Sequence, residues 1–312
     1  MKLLFIKSIL LLLPFALWTC LVVLVDPYNY FDVSHIIPDI VKKQTSLPSN
    51  RFLWKIILFK RTPSANILLG DSRVDAIDVN YIDKISGEKY FNFAHGGASL
   101  PDIINTFHYA KRTIKLSNVY IGLNFNLYNS YNESNRFAAA ELISNDLKYY
   151  IFDKDVIKTT YYNLATFYSN KDFHIGSPSL DKDSFWKSQL VTAVPIFYKH
   201  YKYPNNYYNK LKDISDYCKI NNINLTFIIP PTHIDLQKRV ADFGLLEEEK
   251  NFKKDLRSLG KVYDFDYPND WTNNRENFND PFHLTKAMME KFVDEIWGDE
   301  HNIAKISNKP AL

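Results

Sequence analysis

Four short segments carry groups suited to acyl chemistry, spaced in order along the chain. The first is Gly70-Asp71-Ser72-Arg73, directly after the apolar run Asn66-Ile67-Leu68-Leu69. A serine just past the carboxyl end of a buried strand is where a nucleophile meets substrate. Gly70 permits a tight turn, and the amides of a following helix would surround a developing oxyanion. The same residues also suit an ordinary strand-to-helix turn with Ser or Asp as N-cap. The last segment is Asp280-Pro281-Phe282-His283. A serine hydroxyl needs a base to take its proton, and the base needs a carboxylate to fix its tautomer. Asp280 and His283 can meet across one turn made rigid by Pro281. The plainer alternative is an N-capping Asp beside a surface His. Between these lie Asn92-Phe93-Ala94-His95-Gly96-Gly97-Ala98-Ser99 and Gly122-Leu123-Asn124-Phe125-Asn126. A glycine pair lets a backbone N–H approach a reacting carbonyl, and an Asn amide can donate to the same oxygen. Gly and Asn equally favour plain strand-end turns. His233, after Ile229-Pro230-Pro231-Thr232, and His95 are further candidates to line such a site, against the simpler reading of loop histidines. No His/Cys/Asp cluster has metal-ligand spacing, so neither a metal nor another cofactor is expected.

The elements around these segments have the rhythm of an α/β domain. Short apolar runs at Asn66–Leu69, Tyr90–Phe93, Val119–Leu123, Leu225–Ile229 and Val262–Phe265 predict strands. Helical spacing falls between them at Pro101–Leu116, Tyr207–Asn221, Glu247–Leu259 and Thr285–Trp297. The pattern predicts a three-layer, doubly wound, mostly parallel sheet of flavodoxin-like type, with ligands bound beyond the carboxyl ends of the strands. The domain is expected over residues 63–300, with 301–312 a C-terminal tail. Residues from about 130 to 200 break the rhythm. They read as an insertion or lid with two helices and a polar stretch, Ser169 to Ser184.

Taken together, Gly70-Asp71-Ser72, Gly97 after the second strand, an Asn after the third and Asp280-x-x-His283 near the end resemble the four-block order of the SGNH (GDSL-like) hydrolases over about residues 64 to 298. The resemblance implies Ser72 as nucleophile and, through its backbone N–H, one oxyanion donor. It implies Gly97 and Asn124 or Asn126 as the other donors, His283 as base and Asp280 as its orienter. Two positions depart from the family pattern. The third block reads Gly122-Leu123-Asn124-Phe125 where Gly-x-Asn-Asp is usual. Arg73 replaces the usual Leu, where it could hold a carboxylate or phosphate, or pair with Asp75 or Asp78.

The N-terminus holds SILLLLPFALWTCLVVLV, Ser8 to Val25, an uncharged run near the minimum length for a bilayer span. Lys7 can snorkel to the interface, and Pro14 is tolerated in a membrane helix. Lys2 and Lys7 precede the run and Asp26 follows it. Residues 1–25 are therefore expected to be an anchor with the N-terminus in the cytoplasm and the rest outside, although the basic residues Lys42, Lys43, Arg51, Lys55, Lys60 and Arg61 downstream reduce the charge asymmetry. The run is long for a signal peptide, LVVLVDPYNY is a poor cleavage site, and Leu17-Trp18-Thr19-Cys20 is a poor lipobox. Residues 26–62 read as a juxtamembrane stalk with helical character near Phe52–Ile57. This layout resembles the membrane-anchored SGNH proteins of teichoic-acid D-alanylation and alginate O-acetylation. It implies a cell-envelope polysaccharide or acyl donor as partner, and a membrane-bound O-acyltransferase beside it. The competing expectation is a non-catalytic glycan-binding or scaffold protein on the same frame.

Composition excludes other classes. The formal net charge is +3 over 312 residues, with no dense basic patch interleaved with aromatics, so nucleic-acid binding is not indicated. The two cysteines, Cys20 in the apolar run and Cys218 far from it, form no disulfide framework. The 15% aromatic content fits large buried rings or a carbohydrate-facing or membrane-facing surface, and it also follows from a base-composition bias in the coding sequence.

Overall fold

The computed structural model of the chain describes residues 2–169, 181–299 and 301–308, which divide into two compact units. One comprises residues 2–62 and 136–169. The other comprises 63–135, 181–299 and 301–308, and it carries every candidate site residue.

The second unit is built on eight short strands, β1 (Asn66–Leu69), β2 (Phe91–Asn92), β3 (Asn118–Gly122), β4 (Asn224–Ile229), β5 (Lys261–Asp264), β6 (Phe278–Asp280), β7 (His283–Leu284) and β8 (Lys305–Ser307). Six form one sheet in the order β2-β1-β3-β4-β5-β8, with β1 to β5 parallel and β8 antiparallel. The central strands are continuous apolar runs because both of their faces are covered. Leu68, Ile228 and Tyr263 pack on one face against Ile82 of helix Val79–Ser86 and Phe292 of helix Lys286–Trp297. Ile67, Leu69, Val119, Ile121, Phe227 and Val262 alternate with them and are buried on the other face, where helices Leu100–Thr113, Asn205–Ile220 and Leu246–Leu259 pack. The protein is thus a three-layer, mostly parallel α/β fold. The strand order reverses between β1 and β3, so the crevice at their carboxyl ends is the topological switch point.

Two features depart from the expected layout. Residues 305–307 are not tail but the edge strand β8. The Glu295 carboxylate holds the approach to it by accepting from the N–H groups of Asn302, Ile303 and Ala304. The expected insertion at about 130–200 is also divided. Helices Arg136–Asn145, Leu147–Phe152 and Lys154–Ser169 belong to the first unit. Lys182–Ser188, the π-turn Gln189–Ala193 and Val194–Tyr198 stay with the second, and residues 170–180 of the polar stretch lie outside the described residues.

The first unit is all helical. Helix Lys2–Val25 contains a segment, Ile6–Val25, long and apolar enough to cross a membrane by length and composition. The expected stalk forms helices Asp39–Ser49 and Arg51–Arg61, which pack against Lys154–Ser169 and Arg136–Asn145 respectively. Aromatic contacts draw these segments together, with Phe52 against Phe137 (ring centroids 5.8 Å) and Tyr30 stacked on Tyr150 (4.0 Å). Several of the downstream basic residues are engaged in tertiary contacts. Lys42 Nζ donates to Asn29 Oδ1 (2.7 Å), Lys60 Nζ to the Ser144 carbonyl (2.7 Å), and Arg61 pairs with Asp32 (3.0 Å).

Candidate active site

The chain leaves β1 through Gly70 at φ 156°, a conformation that L side chains rarely adopt. A Cβ there would also lie 2.7 Å from Val74 Cγ2 and 3.1 Å from the Gly122 carbonyl, so the turn requires glycine. Asp71 then caps the short helix Ser72–Asp75, its Oδ1 accepting from the Arg73 N–H (3.0 Å). Ser72 is therefore the first helical residue, and its backbone N–H has no hydrogen-bond partner among the described residues.

Across the crevice, β6 and β7 form a hairpin with Pro281-Phe282 as its two-residue loop, pairing Asp280 with His283. The hairpin is fixed from behind, where the His233 N–H donates to the Pro281 carbonyl (2.9 Å). Asp280 Oδ1 accepts from the Phe282 N–H (2.8 Å), and the two carboxylate oxygens lie 2.9 and 2.8 Å from His283 Nδ1. A carboxylate only accepts, so Nδ1 carries the imidazole proton and Nε2 is the acceptor. Nε2 lies 2.7 Å from Ser72 Oγ, whose hydroxyl donates to it. Residues 211 positions apart thus form one hydrogen-bonded line, Ser72–His283–Asp280, with the carboxylate buried and the imidazole half-buried.

This line opens into a cavity of about 430 Å³ walled by Arg73, Gly97, Asn126, Tyr131, Phe197 and Phe282. Gly97 turns the chain at φ 69° on this wall. Gln189 to Phe197, the part of the insertion that remains in this unit, contributes the facing side. A larger hollow of about 700 Å³, near Asn105, His108 and Lys202, contains none of the triad-like residues. Among the described residues no group of three or more His, Cys, Asp or Glu is placed to hold a metal.

The other candidates separate by position. Asn126 lines the cavity, and its Oδ1 accepts from Arg73 Nη1 (3.1 Å). Arginine only donates, so the bond turns the Asn126 Nδ2 donors away from Arg73. Asn124, matched by the family pattern to the oxyanion hole, is instead fully buried behind the wall. Its Nδ2 donates to the Pro230 carbonyl (2.8 Å), and its own carbonyl starts the turn that Leu127 and Tyr128 close. The reason is that the chain past β3 stops alternating and enters a turn closed on the Asn124 carbonyl, which keeps Asn124 inside, sends Phe125 into the core against Tyr201 and Phe252 and brings Asn126 out to the cavity. Arg73 pairs with neither Asp75 nor Asp78. Its Nε and Nη2 both bond the Asp71 carboxylate, and its guanidinium lies 5.9 Å from the Phe282 ring centroid. Burial pushes the Asp71 carboxyl up, but the Arg73 charge and hydrogen bonds outweigh it and hold the group below the usual carboxylate range.

His95 and His233 do not line the cavity. His95 is buried, with its backbone N–H on the Gly70 carbonyl (3.3 Å). His233 caps helix Ile234–Asp242, where Nδ1 accepts from the Asp235 N–H (3.1 Å) and the ring packs edge-on to Trp186 and Phe278. Burial lowers its pKa. Both histidines are structural supports for the two turns that hold Ser72 and His283. The residues that sequence reasoning missed are the aromatic walls Tyr131, Phe197 and Phe282. Only Phe282 had a signal, its place between Asp280 and His283.

No family model matches the chain, and no curated protein matches it in sequence. Among solved structures, it is similar to a Streptococcus pneumonia protein assigned as a platelet activating factor, with TM-score 0.40, 9% identity, and coverage of 84% of this chain and 94% of that one. It is also similar to a protein assigned to the G-D-S-L family of lipolytic proteins from Desulfitobacterium hafniense DCB-2, with TM-score 0.36, 11% identity, and coverage of 74% and 98%. Likenesses this weak say nothing of activity.

Proposed function

We propose that the chain is a membrane-anchored serine acyltransferase or esterase that works outside the cytoplasm on acyl groups, O-acetyl foremost, of a cell-envelope polysaccharide. The observation that carries this reading is the line from Ser72 Oγ through His283 to Asp280, at 2.7 and 2.8 Å. Ser72 Oγ attacks the acyl carbonyl as its proton passes to His283 Nε2, and Asp280 stabilises the imidazolium. The oxyanion is met by the N–H groups of Ser72 and Gly97 and by Asn126 Nδ2. Collapse expels the leaving alkoxide, which takes the proton from Nε2 and leaves an acyl-serine. An incoming hydroxyl then gives its proton to Nε2 and attacks the acyl carbonyl, the bond to Ser72 Oγ breaks, and Oγ takes the proton back from Nε2, which restores the starting site. A sugar hydroxyl makes the protein a transferase, water an esterase. A membrane-bound O-acyltransferase is the proposed source of acyl groups.

A fluorophosphonate probe tests the chemistry. The wild-type protein is expected to label at Ser72, with labelling lost in Ser72→Ala and strongly slowed in His283→Ala. Folded wild-type protein that neither labels nor hydrolyses p-nitrophenyl acetate would overturn the catalytic reading and leave a binding or scaffold role. Transfer is then separated from hydrolysis by adding a soluble sugar acceptor and following acetyl appearing on it.

A further inference from the structure

The helical unit docks against the middle of the candidate membrane span and not only against its end. In Ile6–Val25, Phe15 is the tenth of twenty residues. Its ring meets Phe152 edge-on at a centroid distance of 6.2 Å, and three residues further on Trp18 Nε1 donates to the Ile151 carbonyl at 2.9 Å. At about 1.5 Å per residue, Phe15 lies roughly 15 Å along the helix from Val25, and from Lys2 to Phe15 the helix covers only about 20 Å. A hydrocarbon core is about 30 Å thick. With Lys7 at the inner headgroups, Phe15 must therefore lie inside the apolar layer, and whatever touches it must enter that layer too.

The surface beside this contact is made for such a place. Leu147, Tyr149 and Phe152 of helix Leu147–Phe152 are 48%, 55% and 50% exposed, an apolar and aromatic surface directly beside the contact with the anchor. Tyr149 and Phe152 are three apart and share a face. Lys148 and Lys154 are exposed beside them, with stems long enough to return their charge to the headgroups. We propose that helix Leu147–Phe152 is an in-plane membrane element, immersed in the outer leaflet alongside the anchor, and that its occupant is lipid. The inference rests on the anchor reading above. It makes the helical unit a monotopic platform in addition to its single span.

The test is depth-dependent quenching in the full chain, reconstituted in phosphatidylcholine–phosphatidylglycerol vesicles with spin labels on the acyl chains. A Cys20→Ser background leaves only Cys218, which is buried with its thiol pushed up to about 12 and so inert to labelling. Single probes are placed by Leu11→Cys in the anchor, and by Tyr149→Cys and Leu147→Cys in the helical unit. All three are expected to be quenched by chain-borne labels, Tyr149 and Leu147 most by those near the headgroup end of the chain. Quenching at Leu11 with none at Tyr149 or Leu147 overturns the immersion and leaves the anchor standing. Absence of quenching at all three overturns the anchor reading and the immersion with it.

Discussion

Replacing the two asparagines after β3 one at a time separates the structural role of Asn124 from the oxyanion role proposed for Asn126. Asn124 is buried, and its Nδ2 satisfies the buried Pro230 carbonyl at 2.8 Å. Asn124→Ala removes that donor and leaves a carbonyl without a partner in a site water does not reach, which costs about 1–3 kcal/mol of stability. The cavity wall keeps its chemistry, so turnover per folded molecule should stay within about twofold of wild type, a loss of under ~0.5 kcal/mol in the barrier. Asn126→Ala has the opposite profile. The residue is only partly buried and its one described hydrogen bond is to Arg73, so stability falls by about 1 kcal/mol or less. Its Nδ2 is a side-chain donor on the wall beside Ser72, and losing an oxyanion donor of this kind lowers kcat by about 10²–10³-fold. The assay is urea unfolding followed by circular dichroism, paired with kcat for p-nitrophenyl acetate on protein active-site-titrated by fluorophosphonate. If Asn124→Ala lost kcat while Asn126→Ala kept it, the assignment of the oxyanion donor would be refuted.

Three further outcomes follow from the packing and charges around the site. Arg73→Met strands a buried carboxylate and should cost about 3–5 kcal/mol near neutral pH. In wild type the depressed Asp71 pKa contributes stability that is present above its unfolded value and lost as pH falls through the lower folded value, so the variant's deficit, read from urea midpoints, should shrink on acidification. Burial first, then Asp266, raises Glu249 from 4.5 to about 7, so its ionisation opposes folding. Stability should decline as pH rises from 4.5 to about 7, and Glu249→Gln should abolish most of that decline, up to about 3 kcal/mol by linkage; equal pH profiles for the two proteins would contradict this. Gly122→Ala places a Cβ 2.1 Å from Val74 Cγ2 and should destabilise by about 1–3 kcal/mol. Adding Val74→Ala should recover part of the loss, and a strictly additive double mutant in thermal melts would show that the clash is not the cause.

The sheet was readable because its strands are covered on both faces. Continuous apolar runs such as Asn66–Leu69 and Leu225–Ile229 have no other stable placement between amphipathic helices. The hairpin β6–β7 was not readable. At three and two residues its strands are too short for a period-2 signal, and Asp280-Pro281-Phe282-His283 suits a helical turn equally well. β8 was hidden for a related reason, since its place is set by a carboxylate, Glu295, on the preceding helix. That Ser72, His283 and Asp280 would be brought together was legible from order and residue type. Which of Asn124 and Asn126 reaches the cavity was not, because it turns on whether Phe125 enters the core and on what Arg73 binds. The helical unit was the least legible part. Stalk and insertion meet across long separations in sequence, 84 residues in the bond from Lys60 Nζ to the Ser144 carbonyl and 118 in that from Asn163 Nδ2 to Thr45 Oγ1 at 2.8 Å, and no local pattern announces that they pair.

The Asp71–Arg73–Asn126 network also bears on the substrate class. An arginine one residue past Ser72 would ordinarily present a full positive charge to anything bound there. At about 4 Å, and with an effective dielectric of about 20, that is worth roughly 4 kcal/mol toward an anion. Here three of its nitrogens are bonded, two to a carboxylate held in the charged form and one to Asn126, so the pair is close to neutral seen from the cavity. The walls beyond it are Gly97, Tyr131, Phe197 and Phe282, which carry no charge. A phosphodiester would arrive beside a carboxylate with no uncommitted cation among the described residues of the cavity wall to meet it, whereas a small neutral ester would meet a polar donor on one side and aromatic faces on the others. Arg73 is then a positioning residue. It holds Asn126 by its carbonyl so that the amide is presented to the cavity, and it holds Asp71 in the form that caps the helix on which Ser72 stands.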